Sequence, residues 1–300
     1  MSITILLSVF NGQKYLEAQL KSLELQIGVE IQIVIRDDGS KDNSLDLIRD
    51  WMRVTNLKVN VIAGDNIGLI RSFNECLYYC IENNVVSDYY AFCDQDDVWL
   101  PEKLIVASKS LSKLSGSAKL YFSNYTVVDE NLKFGEVVNK KYNLTLQEAL
   151  VSISTLGCTQ VFTRDLLISC NALLNSINSR DNEAMPNHDG WMYLCALSMK
   201  AEIVADCRSY ILYRQHSDNV IGALKSNFTS RFKRLLLNRG SKRRIAEILS
   251  NHFDSEVINM HKNYRDDLKV KIRLLRNTRN LTTSKFSNLS YKILLLTNYY

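Results

Sequence analysis

No stretch of about 18 uncharged apolar residues occurs in this 300-residue chain, so no segment is long and apolar enough to cross a bilayer as a helix. C-x-x-C spacing is missing as well. Cys76, Cys80, Cys93, Cys158, Cys170, Cys195 and Cys207 are odd in number and scattered, which argues against a disulfide framework and for reduced, mostly buried thiols. Two prolines and eleven glycines build no low-complexity segment, and no internal repeat is visible. With 46% hydrophobic residues the chain is not disordered and can bury a sizeable core, as one large domain or one domain plus an appendage. Met1-Ser2-Ile3-Thr4-Ile5 enters a strand-like pattern with no basic leader. The expectation is a cytosolic protein, or one held to a membrane from the cytosolic side.

The net charge of +5 conceals an asymmetry. Residues 225–300 carry 17 Lys and Arg against 5 Asp and Glu, a surplus of +12, whereas residues 1–224 carry 20 against 27, a deficit of −7. An acidic body with a basic tail points to two jobs. We therefore divide the chain into a domain over 1–224 and a basic helical extension over 225–300.

The first 130 residues alternate short apolar runs with amphipathic stretches, the signature of strand–helix units on a mostly parallel sheet. Strands are expected over Ile3–Val9, Glu30–Arg36, Lys58–Ile62, Tyr89–Cys93 and Lys119–Ser123, with helices over Gln13–Leu25, Asn43–Met52, Ile70–Glu82 and Glu102–Leu114. This alternation favours a nucleotide-binding sheet with ligands at the carboxyl ends of its strands. Polar clusters fall at those ends: Phe10-Asn11-Gly12, Asp37-Asp38-Gly39-Ser40, Gly64-Asp65-Asn66 and Asp94-Gln95-Asp96-Asp97. Beyond residue 140 the pattern predicts a helix at Leu146–Ile153, a strand near Cys158–Phe162, a helix at Trp191–Lys200 and a strand-like run over Ala201–Tyr213. From Phe228 it turns helical and basic. Phe228, Phe232, Leu235 and Leu236 share a face, while Arg231, Lys233, Arg234 and Arg239 charge the others.

The acid run after Cys93 is the most informative feature. Three carboxylates this close repel and raise one another's pKa, so they persist where a divalent cation or several donors offset them. A cap on the next helix, which starts near Pro101, needs one acid rather than three. The Asp37–Ser40 cluster reads alone either as an ordinary turn or as a carboxylate beside a ligand, with Gly39 letting the backbone approach.

Seven ordered elements together resemble family 2 glycosyltransferases of the GT-A fold: ITILLSVFNGQKYL, IVIRDDGSKDNS, DNIGLIRSFN, FCDQDDVWLPEKL, TLGCTQVFTRDLL, NHDGW and YRQHSDNVIG. The likeness spans about residues 3 to 222. Its wording is most similar to bacterial rhamnosyltransferases of capsule or cell-wall polysaccharide synthesis. The resemblance implies an α/β GT-A sheet, mostly parallel and flanked by helices, with the C-terminal helical extension added. It implies an inverting hexosyltransferase moving a sugar, rhamnose from dTDP-rhamnose, to a lipid-linked saccharide acceptor. Asp94 and Asp96 form the D-x-D pattern that holds Mg or Mn against a diphosphate, and His216 is a third ligand by the same analogy. Ser8, Phe10, Asp38, Arg71, Asp94 and Arg214 are placed at the nucleotide, with Arg71 equally readable as a solvated helix position. Asp97 would stand behind the metal ligands or touch the sugar, and Trp99 reads as packing. Asp189 is the catalytic base, and it can also cap a helix starting at Trp191. Gly190 departs from the bulkier residue that relatives often carry there. A zinc site from His188, Asp189 and His216 competes on residue types alone.

Partners expected are a nucleotide-sugar donor, the lipid-linked acceptor and an anionic membrane surface met by the basic tail at the inner face of the membrane. A lid or homodimer role for that tail stays open. No nucleic-acid partner is expected, because Phe228 and Phe232 are not interleaved as stacking platforms, which disfavours single-strand binding. Alternatives within the same site are a UDP-hexose donor, a nucleotidyltransferase, or a noncatalytic sugar-nucleotide sensor.

Overall fold

The computed structural model describes residues 1–133, 135–139, 142, 144–153, 155–177, 186–216, 241–276 and 285–298. Ile3, Ile5, Leu6, Leu7 and Val9 give the first strand, β1 (Ser2–Val9), apolar residues on both faces, which suits a strand covered by helices on either side. It lies between β2 (Glu30–Asp37) and β4 (Tyr89–Cys93), parallel to both. In that register Val9 faces Asp37 and Leu7 faces Cys93, so the residues that follow each strand emerge at one carboxyl edge. The sequence motifs are brought together by this register.

Parallel pairing continues outward to β3 (Lys58–Ala63). On the other side two-residue β8 (Val161–Phe162) joins β4 to β6 (Lys119–Val128) in antiparallel fashion. β6 then runs parallel to β9 (Glu202–Arg214), whose end pairs with β5 (Val98–Trp99), while β7 (Glu136–Val137) flanks β6. The sheet order among the described residues is β3-β2-β1-β4-β8-β6-β9-β5. Its long ladders are parallel and its short ones antiparallel, the mixed α/β sheet expected from the alternation.

Alternate side chains of β1 enter different cores. Ile3, Ile5 and Leu7 pack with α1 (Leu16–Glu24) and α4 (Lys103–Leu111). Leu6 faces α3 (Leu69–Glu82), where Phe73, Cys76, Leu77 and Cys80 repeat at helical spacing. That second core also takes α6 (Arg164–Asn175) and α7 (His188–Ser198). The remaining helices among the described residues are α2 (Ser44–Met52), α5 (Leu146–Val151), α8 (Ser241–Ser250), α9 (Glu256–Asn263), α10 (Leu268–Arg276) and α11 (Lys285–Leu296). Ile245, Ile248, Leu249 and Ile258 of α8 and α9 complete the same core as Leu6. All seven cysteines are free, six of them buried. Among the described residues no helix is long and apolar enough to cross a membrane.

Several boundaries differ from the sequence reading. α1 starts at Leu16 rather than Gln13, because the amides of Tyr15 and Leu16 both turn back to the Gly12 carbonyl at 3.0 Å. β6 runs on to Val128, held by its ladder with β9. The strand expected over Cys158–Phe162 divides into a 3-10 turn, Gly157–Thr159, and short β8. Helix α6 was not anticipated, although Leu166, Leu167, Cys170, Leu173 and Leu174 follow helical spacing behind Thr163. α7 begins at His188, three residues before Trp191. The Trp191 amide bonds the Asn187 carbonyl at 3.0 Å, which makes Asn187 the cap and sets His188 and Asp189 in the first turn. The basic helix expected from Phe228, with Arg231, Lys233, Arg234 and Arg239, lies outside the described residues.

Candidate active site

The acid turn begins where β4 ends. Gln95 ties it to β1: its side-chain oxygen accepts from the Phe10 amide at 2.8 Å, and its amide donates to the Phe10 carbonyl at 3.1 Å. Gly12 is needed opposite, since a Cβ there would sit 2.5 Å from the Gln95 oxygen. From the far side, the end of β9 supplies Arg214. Its backbone amide donates to Asp97 Oδ1 at 3.1 Å, its Nε to the Asp96 carbonyl at 2.8 Å, and its Nη1 to the Glu130 carbonyl. The buried guanidinium also lies 4.6 Å from the centre of the Tyr15 ring. His216 packs on that ring as well, with centroids 4.6 Å apart, and meets Asp96 Oδ2 through Nε2 at 2.9 Å.

Two acid groupings result. Asp96 pairs with His216, while Asp94 and Asp97 gather with Cys158, their ligand atoms all within 4.8 Å of one another. Burial, then the charges of Asp96 and Asp189, push the Asp94 carboxyl up to about 8. Burial and the same crowding push Asp97 well above the usual carboxylate range. Asp97 Oδ2 is buried with no hydrogen-bond partner. An orphaned carboxylate oxygen beside a second, half-buried carboxyl is a donor set that fits a hard divalent ion. Cys158 stays a thiol, its pKa pushed far up by burial and the two acids, so the carboxylates are the available anionic donors.

On the nucleotide side of the sheet edge the expected residues divide. Asp38 is only 2% exposed and braces the approach to α3: Oδ1 accepts from the Ile67 amide at 3.0 Å, Oδ2 from the Gly68 amide at 2.9 Å, and Arg36 lies 3.5 Å away. Gly39, at φ +76°, lets the chain pass so close to Asn66 that a Cβ would stand 2.7 Å from its backbone nitrogen. Ser8 is buried and shares a 2.6 Å hydrogen bond with Ser72 in the first turn of α3. Phe10, 42% exposed, and Arg71, also exposed, are the members of this set that reach solvent.

Asp189 sits in the first turn of α7, mostly buried, where Oδ1 accepts from the Gly190 amide at 2.8 Å. Gln160 fixes that turn by donating to the Asp189 carbonyl at 3.0 Å. A Cβ on Gly157 would stand 3.2 Å from Asp189 Cβ, and the next residue, Cys158, gathers with Asp94 and Asp97, so Asp189 borders the acid turn. Gly190 has a steric reason, because a Cβ would stand 2.7 Å from Pro186 Cβ and 3.1 Å from Ile153. His188 stacks on Phe73 at 3.7 Å and meets the Phe92 ring edge-on at 4.6 Å. Burial lowers its pKa to about 3, so it is neutral, and its ring nitrogens have no hydrogen-bond partner. It is a core side chain. Among the described residues no metal-ligating group includes it, which removes the zinc reading.

Trp99 is buried and packs, as expected, with Lys103 Nζ 3.6 Å from its ring centre. Lys103 itself, fully buried, was not anticipated, nor were Gln95, Gln160 and Cys158. Gln95 stands inside the acid motif and could have been noticed there. The other three carry no local signal, since their partners are distant in sequence.

A mixed sheet of this order, with acids gathered at its carboxyl edge, has the GT-A fold. Residues 4–118 match the model of Glycosyl transferase family 2. It is 28% identical over 262 residues to the dTDP-rhamnosyl transferase RfbG of Shigella flexneri, covering 84% of this chain and 86% of that protein. An uncharacterized glycosyltransferase of Nostoc sp., alr2836, is 38% identical over 104 residues, which are 35% of this chain and 31% of the relative. The crystal structure of S. aureus TarS 1–349 in complex with UDP-GlcNAc shares the fold, with a TM-score of 0.58 and 18% identity over 100% of this chain and 80% of that one.

Proposed function

We propose that the protein is an inverting, divalent-metal-dependent rhamnosyltransferase, moving rhamnose from dTDP-rhamnose to a lipid-linked oligosaccharide in bacterial polysaccharide synthesis, capsule included. The observation that carries this reading is the convergence of Asp94, Asp96 and Asp97 with Asp189 on one site. The donor is taken from the relative matched over most of both chains.

Asp94 and Asp96 would hold Mg or Mn, with Asp97 and His216 behind or beside them. The ion supplies positive charge against the departing nucleoside diphosphate. Arg214 braces the acid turn through its backbone and side chain and adds fixed positive charge on the diphosphate side. Ser8 and Asp38 shape the nucleotide edge from within, and Phe10 and Arg71 offer it a ring and a cation. Asp189 takes the proton of the acceptor hydroxyl as the new bond forms on the face opposite the leaving group. A single carboxylate placed this way suits inversion, because no second carboxylate is needed to form a covalent intermediate.

The division at residue 225 separates these roles. Residues 1–224 carry the transfer, and the basic helices hold the enzyme at the cytoplasmic face of the membrane, where a lipid-linked acceptor is presented. A UDP-sugar donor is the second reading, since TarS, of the same fold, is solved with UDP-GlcNAc. One assay decides donor and class. With Mg or Mn and a lipid-linked acceptor, dTDP release from dTDP-rhamnose in a panel of sugar nucleotides supports the proposal. UDP release from a UDP-hexose moves the donor assignment, pyrophosphate release means a nucleotidyltransferase, and binding without turnover means a sensor.

A further inference from the structure

We propose that the outward faces of α10 and α11 form the lipid-docking surface of this enzyme, and that they take an anionic bilayer. The inference rests on the membrane-bound reading above and assigns it to particular side chains.

The inner faces of the two helices are already used. Leu274 of α10 and Tyr291 and Leu295 of α11 bury together with Tyr264, with Val270 and Leu294 packed alongside. Each helix nevertheless keeps a second apolar stripe on its other side. Leu268 and Ile272, one turn apart, are 70% and 41% exposed, and Leu289, Ile293 and Leu296, at i, i+4 and i+7, are 58%, 43% and 56% exposed. Stripes on opposite faces of the same short helix are not required by this fold, because a solvated face is ordinarily polar. Lys271 Nζ reaches Asn298 Oδ1 at 2.9 Å and the Leu296 carbonyl at 3.5 Å, which brings the Leu296 end of one stripe against the flank of the other.

Charge identifies the occupant. Lys269 and Arg276 flank the α10 stripe and Lys292 flanks the α11 stripe. All three are exposed, and none has an ion-pair partner among the described residues. Arg273 pairs with Glu256, and Asp266 and Asp267 lie at the start of α10, so acids stay at one end of the surface. Apolar side chains rimmed by unpaired cations match a layer with anionic headgroups over hydrocarbon, in which Leu and Ile enter the acyl boundary and Lys and Arg stay at phosphate level. A second copy of the chain would set these cations against one another.

The test is co-sedimentation of the full chain with vesicles of phosphatidylcholine, with and without phosphatidylglycerol. The native protein should bind only the anionic vesicles, and more weakly at high salt. Lys269→Gln, Arg276→Gln and Lys292→Gln together should weaken binding about a hundredfold at low salt, from about fivefold per charge. Leu289→Gln with Ile293→Gln should weaken it at least about tenfold at either salt. Both variants should keep native turnover on a soluble acceptor analogue. Hydrogen exchange of the native protein adds a readout free of variants: amides of α10 and α11 should slow with anionic vesicles. Native-like binding by both variants, or no slowing in these helices while the protein binds, overturns the assignment and leaves membrane attachment to another segment. No vesicle binding by the native protein overturns both. A native dimer that the apolar variant dissociates makes a second copy the occupant and overturns the lipid assignment.

Discussion

Asp94→Asn should make the cation-free protein more stable at neutral pH, although it removes a residue at the heart of the site. In the native fold the Asp94 carboxyl is pushed from its ordinary value near 3.8 up to about 8, first by burial and then by Asp96 and Asp189. Between those values the folded protein holds a proton that the unfolded chain has released. Stability from this group is therefore fully present below about pH 4 and is lost as pH rises toward 8, by about 1.4 kcal/mol per pH unit. At pH 7 the loss reaches up to about 4 kcal/mol. Asparagine keeps the shape and never ionises, so the variant should match the native protein near pH 4 and exceed it by up to that amount at pH 7. Urea denaturation in the presence of a chelator measures the difference. The same proton reports on the cation, because an ion bound by the carboxylate must displace it. Titrating Mn into the native protein at pH 7, in buffers of different ionisation enthalpy, should show release of about one proton that is absent from Asp94→Asn. A variant less stable than native at pH 7, together with no proton release on Mn binding, would refute the electrostatic reading of the acid turn.

Three further expectations follow from individual contacts. Gln95→Ala removes both hydrogen bonds to Phe10 and should cost about 1–2 kcal/mol in denaturant melts, with turnover falling further than stability; unchanged turnover would mean that the clamp does not position the acid turn. Gly190→Ala gains helix propensity of up to about 1 kcal/mol but meets Pro186 and Ile153, so a net destabilisation of about 1 kcal/mol is expected, and a more stable variant would discard the packing explanation. Lys103 is held down to about 8 from its ordinary 10.5, chiefly by burial, so the unfolded chain binds the extra proton and native stability should climb between those pH values. Lys103→Met should be more stable than native at pH 7 by about 1–3 kcal/mol, with the gap closing toward pH 10.5, and a pH-independent gap would point to packing instead.

The parallel half of the fold was legible because its central strands are buried on both faces and read as largely apolar runs, as in Ile3–Val9 and Tyr89–Cys93. The antiparallel half was not, since β5, β7 and β8 are two residues long and exist only through partners far along the chain. Helix α7 was placed late because His188-Asp189-Gly190 has little helix propensity, and tertiary packing overrides it. The acid turn was visible from its unusual chemistry. How it is built was not: the grip of Arg214 on Asp96 and Asp97 spans well over a hundred residues. Asp38 shows the same limit. Its sequence neighbourhood suggests a ligand contact, whereas its oxygens are taken up by the Ile67 and Gly68 amides, whose positions no local pattern reveals.

The role of Asp189 is tested most directly by measuring donor affinity and turnover in one preparation of Asp189→Asn. The amide can still accept from the Gly190 backbone, so the start of α7 should hold its shape while the proton acceptor is lost. Affinity for dTDP with Mn should stay native, by calorimetry, while sugar transfer falls by roughly 100-fold or more at every pH examined. Near-native transfer by this variant, or a loss of donor affinity in step with the loss of transfer, would contradict the assignment of Asp189 as the base.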